Sequence, residues 1–229
     1  MNPFWLTAGI FLITYALIVT ERVHRTIAAL LGGVAIIVFG VLDQNEAFLS
    51  IDWNVIFLLA GMMMIASILS NTGIFQWIAV QSVRIGKGNP YLIMVILVLV
   101  TAVASALLDN VTIVILMAPV TLFISASLGV SPVAFLIAII LASNIGGTAT
   151  LVGDPPNILI GSAAGIDFVT FALNLTPIAL IVLIVFLGLA WFLFRKDFKN
   201  VTSDSSTIDA MDASELITNR ALLRKSMIV

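Results

Sequence analysis

The chain has 229 residues, of which 61% are hydrophobic and 10% charged, with a formal net charge of −2. A soluble domain carries about 25% charged and 45–50% apolar residues, so this excess does not fit inside one water-soluble core, and the near-neutral balance argues against nucleic acid as a partner. The chain has no cysteine and one histidine, which excludes disulfides, thiolate metal sites and cysteine nucleophiles and makes His24, set among charges, an interfacial loop residue rather than a ligand.

Crossing a bilayer as a helix takes about 20 apolar residues. In chain order the candidates are residues 4–20, 26–42, 55–70, 91–108, 111–128, 132–165 with an interruption, and 168–194. The fold expected is all-α, a polytopic bundle of membrane helices with lipid as its surroundings. The first segment has no Lys or Arg ahead of it and no small-residue cleavage site behind it, so it reads as a membrane helix and not a cleaved signal. Residues 74–83 are shorter, carry Gln76 and Trp77 and end at Arg84, which suggests an interfacial helix. The triplet Met62-Met63-Met64 reads as lipid- or core-facing bulk.

Basic residues cluster at Arg22/Arg25, at Arg84/Lys87 and at Arg195/Lys196/Lys199, whereas Asp43, Glu46, Asp52 and Asp167 lack basic neighbours. Lys and Arg mark the cytoplasmic side. The expected orientation has the N-terminus outside, helix 168–194 running inward, and 1–194 forming the membrane part. Residues 195–220 are rich in charges, Ser and Thr and read as a cytoplasmic linker. Residues 221–229 look like the start of a further helix, as if the chain were half of a larger protein. The crossings counted are odd, so a second copy of the unit sits upside down, as in transporters built from inverted repeats.

Between Gly88 and Ile166 the only charged residues are Asp109 and Asp154. An acid at the centre of a membrane helix costs roughly 2.5–3.5 kcal/mol and needs a partner, a proton or a wet cavity. Around the first, Asp109-Asn110-Val111-Thr112 forms a polar turn between two apolar stretches. This favours a re-entrant hairpin over residues 91–128, although charge bias alone also allows two full spans. Around the second runs Asn144-Ile145-Gly146-Gly147-Thr148-Ala149-Thr150-Leu151-Val152-Gly153-Asp154-Pro155-Pro156-Asn157. Proline lacks the N–H a helix needs, so the helix over 132–165 must break here, with Asn157 expected to cap its restart. Freed backbone at this depth needs an ion, a ligand or water. Gly161 and Gly165 have the spacing of a packing face.

These runs resemble the ion transporter superfamily, in particular the branch of arsenite permeases, sodium/proton antiporters and the P protein, with its citrate transporter-like domain. The likeness lies in Leu108-Asp109-Asn110-Val111-Thr112 with Ala118-Pro119-Val120-Thr121, in Asn144 to Gly147, in Gly153 to Asn157, and in Asp52-Trp53-Asn54 leading to Gly61-Met62-Met63. It covers nearly the whole chain as one N-terminal, inverted-repeat half. The resemblance implies an elevator-like secondary transporter, multi-pass in the plasma membrane, and not an enzyme. Asp109, Asn110 and Thr112 would form the hairpin tip. Asn144, Gly146, Gly147, Thr148, Thr150, Gly153, Asp154 and Asn157 would line the break, with sodium a candidate ligand of Asp109, Asn110 and Asp154. No organic cofactor is expected, only a coupling proton or sodium ion. The expected partners are a small ion or oxyacid, the missing second half, a second copy in a homodimer, and for arsenite permeases a separate ATPase.

The dicarboxylate branch carries Ser-Asn-Thr at the tip and Thr before the prolines, where this chain has Asp. That departure favours a cation, a proton or neutral arsenious acid over citrate or succinate, because two like charges 4 Å apart repel by about 4 kcal/mol at an effective dielectric of 20. An intramembrane aspartyl protease is a remote alternative, since its Gly-x-Gly-Asp signature meets Leu151 here. No phosphate-binding loop is present for ATP hydrolysis by the chain itself.

Overall fold

A computed structural model describes residues 3–195 and 198. The linker expected over 195–220, apart from Arg195 and Phe198, and the further helix expected over 221–229 lie outside the described residues. All regular structure among the described residues is helical. In order the helices are α1 (Pro3–Val19), α2 (Arg25–Val38), α3 (Gln44–Leu49), α4 (Trp53–Ser70), α5 (Ile74–Gly86), α6 (Pro90–Leu107), α7 (Asn110–Ser127), α8 (Pro132–Gly147), α9 (Pro155–Ala164) and α10 (Phe168–Phe194). Among the described residues α6, α7 and α10 are long and apolar enough to cross a membrane, and α1, α2, α4 and α8 are shorter apolar helices. This is an all-α, polytopic membrane bundle. The chain divides into two compact units, Met1–Asn54 and Val55–Val229.

In the first unit α1 lies against α2. Ala28 and Gly32, one turn apart, are the buried residues of α2, and a Cβ on Gly32 would run into Thr14 of α1. The lone histidine serves this helix locally, since His24 Nδ1 accepts the Thr26 N–H at its start (3.4 Å). α2 closes at Val38, four residues short of the expected end. Gly40 takes φ +66, and the N–H groups of Gly40 and Val41 turn back to the carbonyls of Ile37 and Ile36 (both 3.0 Å). That is a Schellman close, which uses the one residue free to adopt left-handed φ. The short α3 accounts for part of the acidic loop, because Glu46 Oε2 accepts the Asp43 N–H that precedes the helix (3.2 Å).

In the second unit the core is built by three helices in sequence. α6 turns Ile93, Met94, Leu97, Val98, Thr101, Ala102 and Ser105 inward, the three-to-four spacing of one helix face. α7 contributes Ile113, Met117, Val120 and Ile124, and α8 contributes Phe135, Ala138, Ile139 and Ala142 to the same cluster. α8 packs against both arms of the α6–α7 pair. α5 buries Phe75, Val80 and Val83 and packs against α6 and α7. A smaller cluster joins Val55, Leu59 and Met62 of α4 to Leu151, Val152 and Ile158. Met62 is therefore core, while Met63 and Met64 are exposed.

α10 starts at Asp167. One carboxylate oxygen accepts the N–H groups of Val169 (2.9 Å) and Thr170 (3.0 Å), and the other accepts the Thr170 hydroxyl (2.6 Å). The Thr170 hydroxyl bond, then its backbone N–H, hold this carboxyl below its ordinary value. A carboxyl lowered by folding supports the helix above its unfolded pKa of about 3.9 and loses that support as pH falls through the folded value. Amide-exchange protection in the first turn of α10 is thus expected to be flat above about pH 5 and to fall below about pH 4. Asp167→Asn should remove that pH dependence, and a profile unchanged in the variant would refute the assignment. At the far end Arg195 lies over Trp191 (5.6 Å) and Phe192 (5.0 Å), an aromatic and basic anchor of the kind found at membrane interfaces.

Candidate ion-binding site

The site begins where α6 stops. Leu108 and Asp109 are extended, with φ −127 and −64, and α7 restarts at once. Asp109 caps it: Oδ1 accepts the Thr112 N–H (2.8 Å), as a carboxylate at an N-cap does. Oδ2 of the same group is buried without a hydrogen-bond partner. A buried polar atom left unpaired is costly.

The tip is sewn to α8 from both arms. On the α6 side Ser105 donates to the Ser143 carbonyl (2.8 Å). On the α7 side Ser143 donates to the Asn110 carbonyl (3.1 Å), and the Asn110 amide donates to Asn144 Oδ1 (3.2 Å). Asn144 is itself held by the Ile140 carbonyl (2.9 Å).

α8 ends at Gly147, and seven residues pass before α9. Thr150 reaches across to donate to the Ala106 carbonyl and accepts the Gly153 N–H (3.2 Å). Gly153 fits where nothing larger does, since a Cβ there would lie 2.6 Å from the carbonyl oxygens of both Gly147 and Ser105. Asn157 does not cap the restart. It sits inside α9, and its amide donates back to the carbonyls of Gly147 and Thr150 (both 3.0 Å). The two prolines explain this: they fill the first two helical positions after Asp154, and Asn157 lands one turn in, facing the end of α8. The break is therefore a braced loop and not a loose hinge. Replacing Asn157 by Leu leaves two carbonyls without this donor, at about 1–3 kcal/mol each where they are buried, so a drop in thermal midpoint of the detergent-solubilised protein is expected. An unchanged midpoint would show that the brace carries no weight.

Asp154 stands at the start of α9 and makes no capping bond. It directly follows Gly153, whose backbone lies against that of Ser105, one turn before Asp109. Tip and break thus bring together Asp109, Asn110, Asn144, Gly147, Thr150, Gly153, Asp154 and Asn157. The remaining expected residues, Gly146, Thr148 and Thr112, make the following contacts. Gly146 lies against the backbone of Ala102 and is a packing residue. The Thr148 hydroxyl turns back to Ile145 on its own helix (2.8 Å). Thr112 gives its N–H to Asp109. Ser105 and Ser143 are not among the expected site residues; Ser143 directly precedes Asn144. Ser105 lies one turn before Asp109, the only signal that pointed to it.

Depth can be read from α10. Thr176 donates to the Ala149 carbonyl in the break (2.9 Å). At 1.5 Å per residue the 27-residue α10 is about 40 Å long, and Thr176 lies roughly 8 Å from its midpoint. The break lies beside the interior of the longest apolar helix, far from its Arg195 end.

Residues 15–229 match the family described as Citrate transporter. The chain belongs to the citrate transporter family. Its relatives include an uncharacterized transporter of Mycobacterium tuberculosis, 46% identical over 94% of this chain and 51% of the relative. A 46 kDa membrane protein of Mycobacterium leprae is 45% identical over 96% of this chain and 52% of the relative. The human P protein is 39% identical over 75% of this chain and 22% of the relative. The chain spans about half the length of the mycobacterial relatives it matches. The family and the relatives that match over most of this chain carry the names of membrane transport proteins.

Among the described residues no three His, Cys, Asp or Glu side chains gather. A hard cation held here would draw on Asp109 and Asp154 together with amide and backbone oxygens, the ligand types such ions take.

Proposed function

We propose that the chain is the N-terminal half of a secondary active transporter that exchanges an inorganic ion or small oxyacid against protons or sodium, of the arsenite-efflux or sodium/proton-antiport type. The observation that carries this reading is the meeting of two interrupted helices beside the middle of α10, where the backbone before Asp154 lies against the end of α6 that leads to Asp109. Two negative charges in a medium of low effective dielectric repel by several kcal/mol. Loaded with a cation or a proton, the pair carries one negative charge fewer, its mutual repulsion is relieved and it crosses the hydrocarbon more readily; empty, it resists crossing. That difference makes exchange obligatory. In this reading the hairpin is re-entrant, tip and break move together elevator-fashion, and the cytoplasmic and outer faces follow the basic clusters. A second half, a second copy and, for arsenite, a separate ATPase complete the machine in the plasma membrane.

A second reading, symport of citrate or a dicarboxylate, is favoured by the family's description. The start of α9 speaks against it. Helix N-termini hold anions through free N–H groups. Pro155 and Pro156 have none, and the Asn157 N–H is already given to the Asp154 carbonyl (3.0 Å). The first three positions offer an anion no donor, and a carboxylate stands in front of them. Flux of sodium, protons, arsenite and citrate in vesicles from cells expressing the protein decides between the two. Citrate uptake without cation or arsenite flux would end the first reading.

A further inference from the structure

We infer that the apolar cavity behind the hairpin tip is a seat for an acyl chain of a bilayer phospholipid. The cavity measures about 210 Å³ and lies between α6, α8 and α10. Its walls include Ala102, Ala106, Gly146, Ala149 and Ala179, small residues that leave the space open. Thr176 is the polar side chain of the lining, and its hydroxyl is spent on the Ala149 carbonyl. The Ala106 carbonyl is likewise taken by Thr150. A buried water needs two to four polar partners, and both of these groups are already spent, so the space suits an apolar occupant. An empty space would forfeit the dispersion contacts of its whole lining.

The mouth names the occupant. Val103, Leu107 and Leu180 line the cavity and are each more than half exposed. They continue into the outward face of α10, where Ile181, Ile184 and Val185 are equally bare. That face belongs to a membrane helix, and Thr176 sets the cavity roughly 8 Å from the middle of that helix, at the depth of acyl chains and not of headgroups. The inner wall carries the two carbonyls that hold Thr150 and Thr176, so a chain seated there supports tip and break from behind. The inference rests on the helices lying in a bilayer and not on which ion is carried.

The absence of cysteine allows a direct test on the whole protein in phosphatidylcholine vesicles. Ala106→Cys and Ala179→Cys, on opposite walls, each take one environment-sensitive fluorophore. Phospholipid with a nitroxide at mid-chain should extinguish both labels, and more strongly than phospholipid with the nitroxide near the headgroup or iodide in the water. Quenching by iodide instead would mean a wet cavity, and quenching by none would mean that protein covers it; either overturns the inference. A label-free check guards against misfolded variants. The unmodified protein should keep a bound phospholipid in native mass spectrometry that Ala179→Phe, which fills the cavity, has lost. Retention of the same lipid by Ala179→Phe counts against the site.

Discussion

Asp109→Asn and Asp154→Asn should each reduce exchange flux roughly 30- to 150-fold while leaving the protein folded and inserted. The size follows from losing one charge-assisted contact to the transported cation or proton, about 2–3 kcal/mol, with 1.4 kcal/mol for each tenfold change. The separation of function from folding follows from local structure. At position 109 the carboxylate caps α7 through one oxygen, and asparagine caps a helix about as well as aspartate. At position 154 the side chain makes no capping bond, so the fold loses nothing there. The substitution thus removes the charge and keeps the shape. Flux in vesicles, normalised to the amount of folded protein, is the measurement. Wild-type exchange from either variant would remove that residue from the carrier role. Loss of flux together with loss of folded protein would mean that the carboxylates are structural.

Much of this arrangement was legible in the sequence because membranes make polar residues conspicuous. Two acids in a long apolar stretch announced the tip and the break, and two adjacent prolines after glycine announced the interruption of the helix. What the chain order did not reveal was how tip and break are joined. Ser105 and Ser143 lie 38 residues apart, and Thr150 finds a backbone carbonyl 44 residues away. Backbone acceptors carry no side-chain signature, so such bonds leave no trace in composition. The same blindness explains Asn157, whose position after two prolines suggested a cap. Its role depends on where the end of α8 lies in space. α5 is a related case: its apolar face is short, and only the presence of α6 and α7 turns that face into core. The glycines were ambiguous in another way. Gly146 and Gly147 read as points of unwinding, and only the distance from Gly146 to the Ala102 backbone reveals a contact there.

Those distances give the second large expectation, that Gly146→Ala and Gly153→Ala are each destabilising by about 3 kcal/mol, the upper end for forcing atoms into a filled core. Ordinary overpacking is relieved when a flexible side chain swings away. Here the obstacle is backbone. A Cβ on Gly153 meets two carbonyl oxygens, those of Gly147 and Ser105, from the two segments that the site brings together. A Cβ on Gly146 meets the carbonyl oxygen and Cα of Ala102, in the contact between α6 and α8. Neither can yield without parting tip from break. Gly188 supplies the control: it lies within α10, and a Cβ there meets nothing within 4 Å. Alanine at 188 should be neutral or stabilise slightly, by about 0.5–1 kcal/mol, since glycine is the poorer helix former. Thermal unfolding in detergent orders the three variants. If Gly153→Ala unfolds at the same temperature as Gly188→Ala, the close approach of break to tip is not a feature of the folded protein, and the pairing of the two carboxylates goes with it. If Gly153→Ala is destabilised as expected, then the smallest side chain in the run holds the two charged ones within reach of each other.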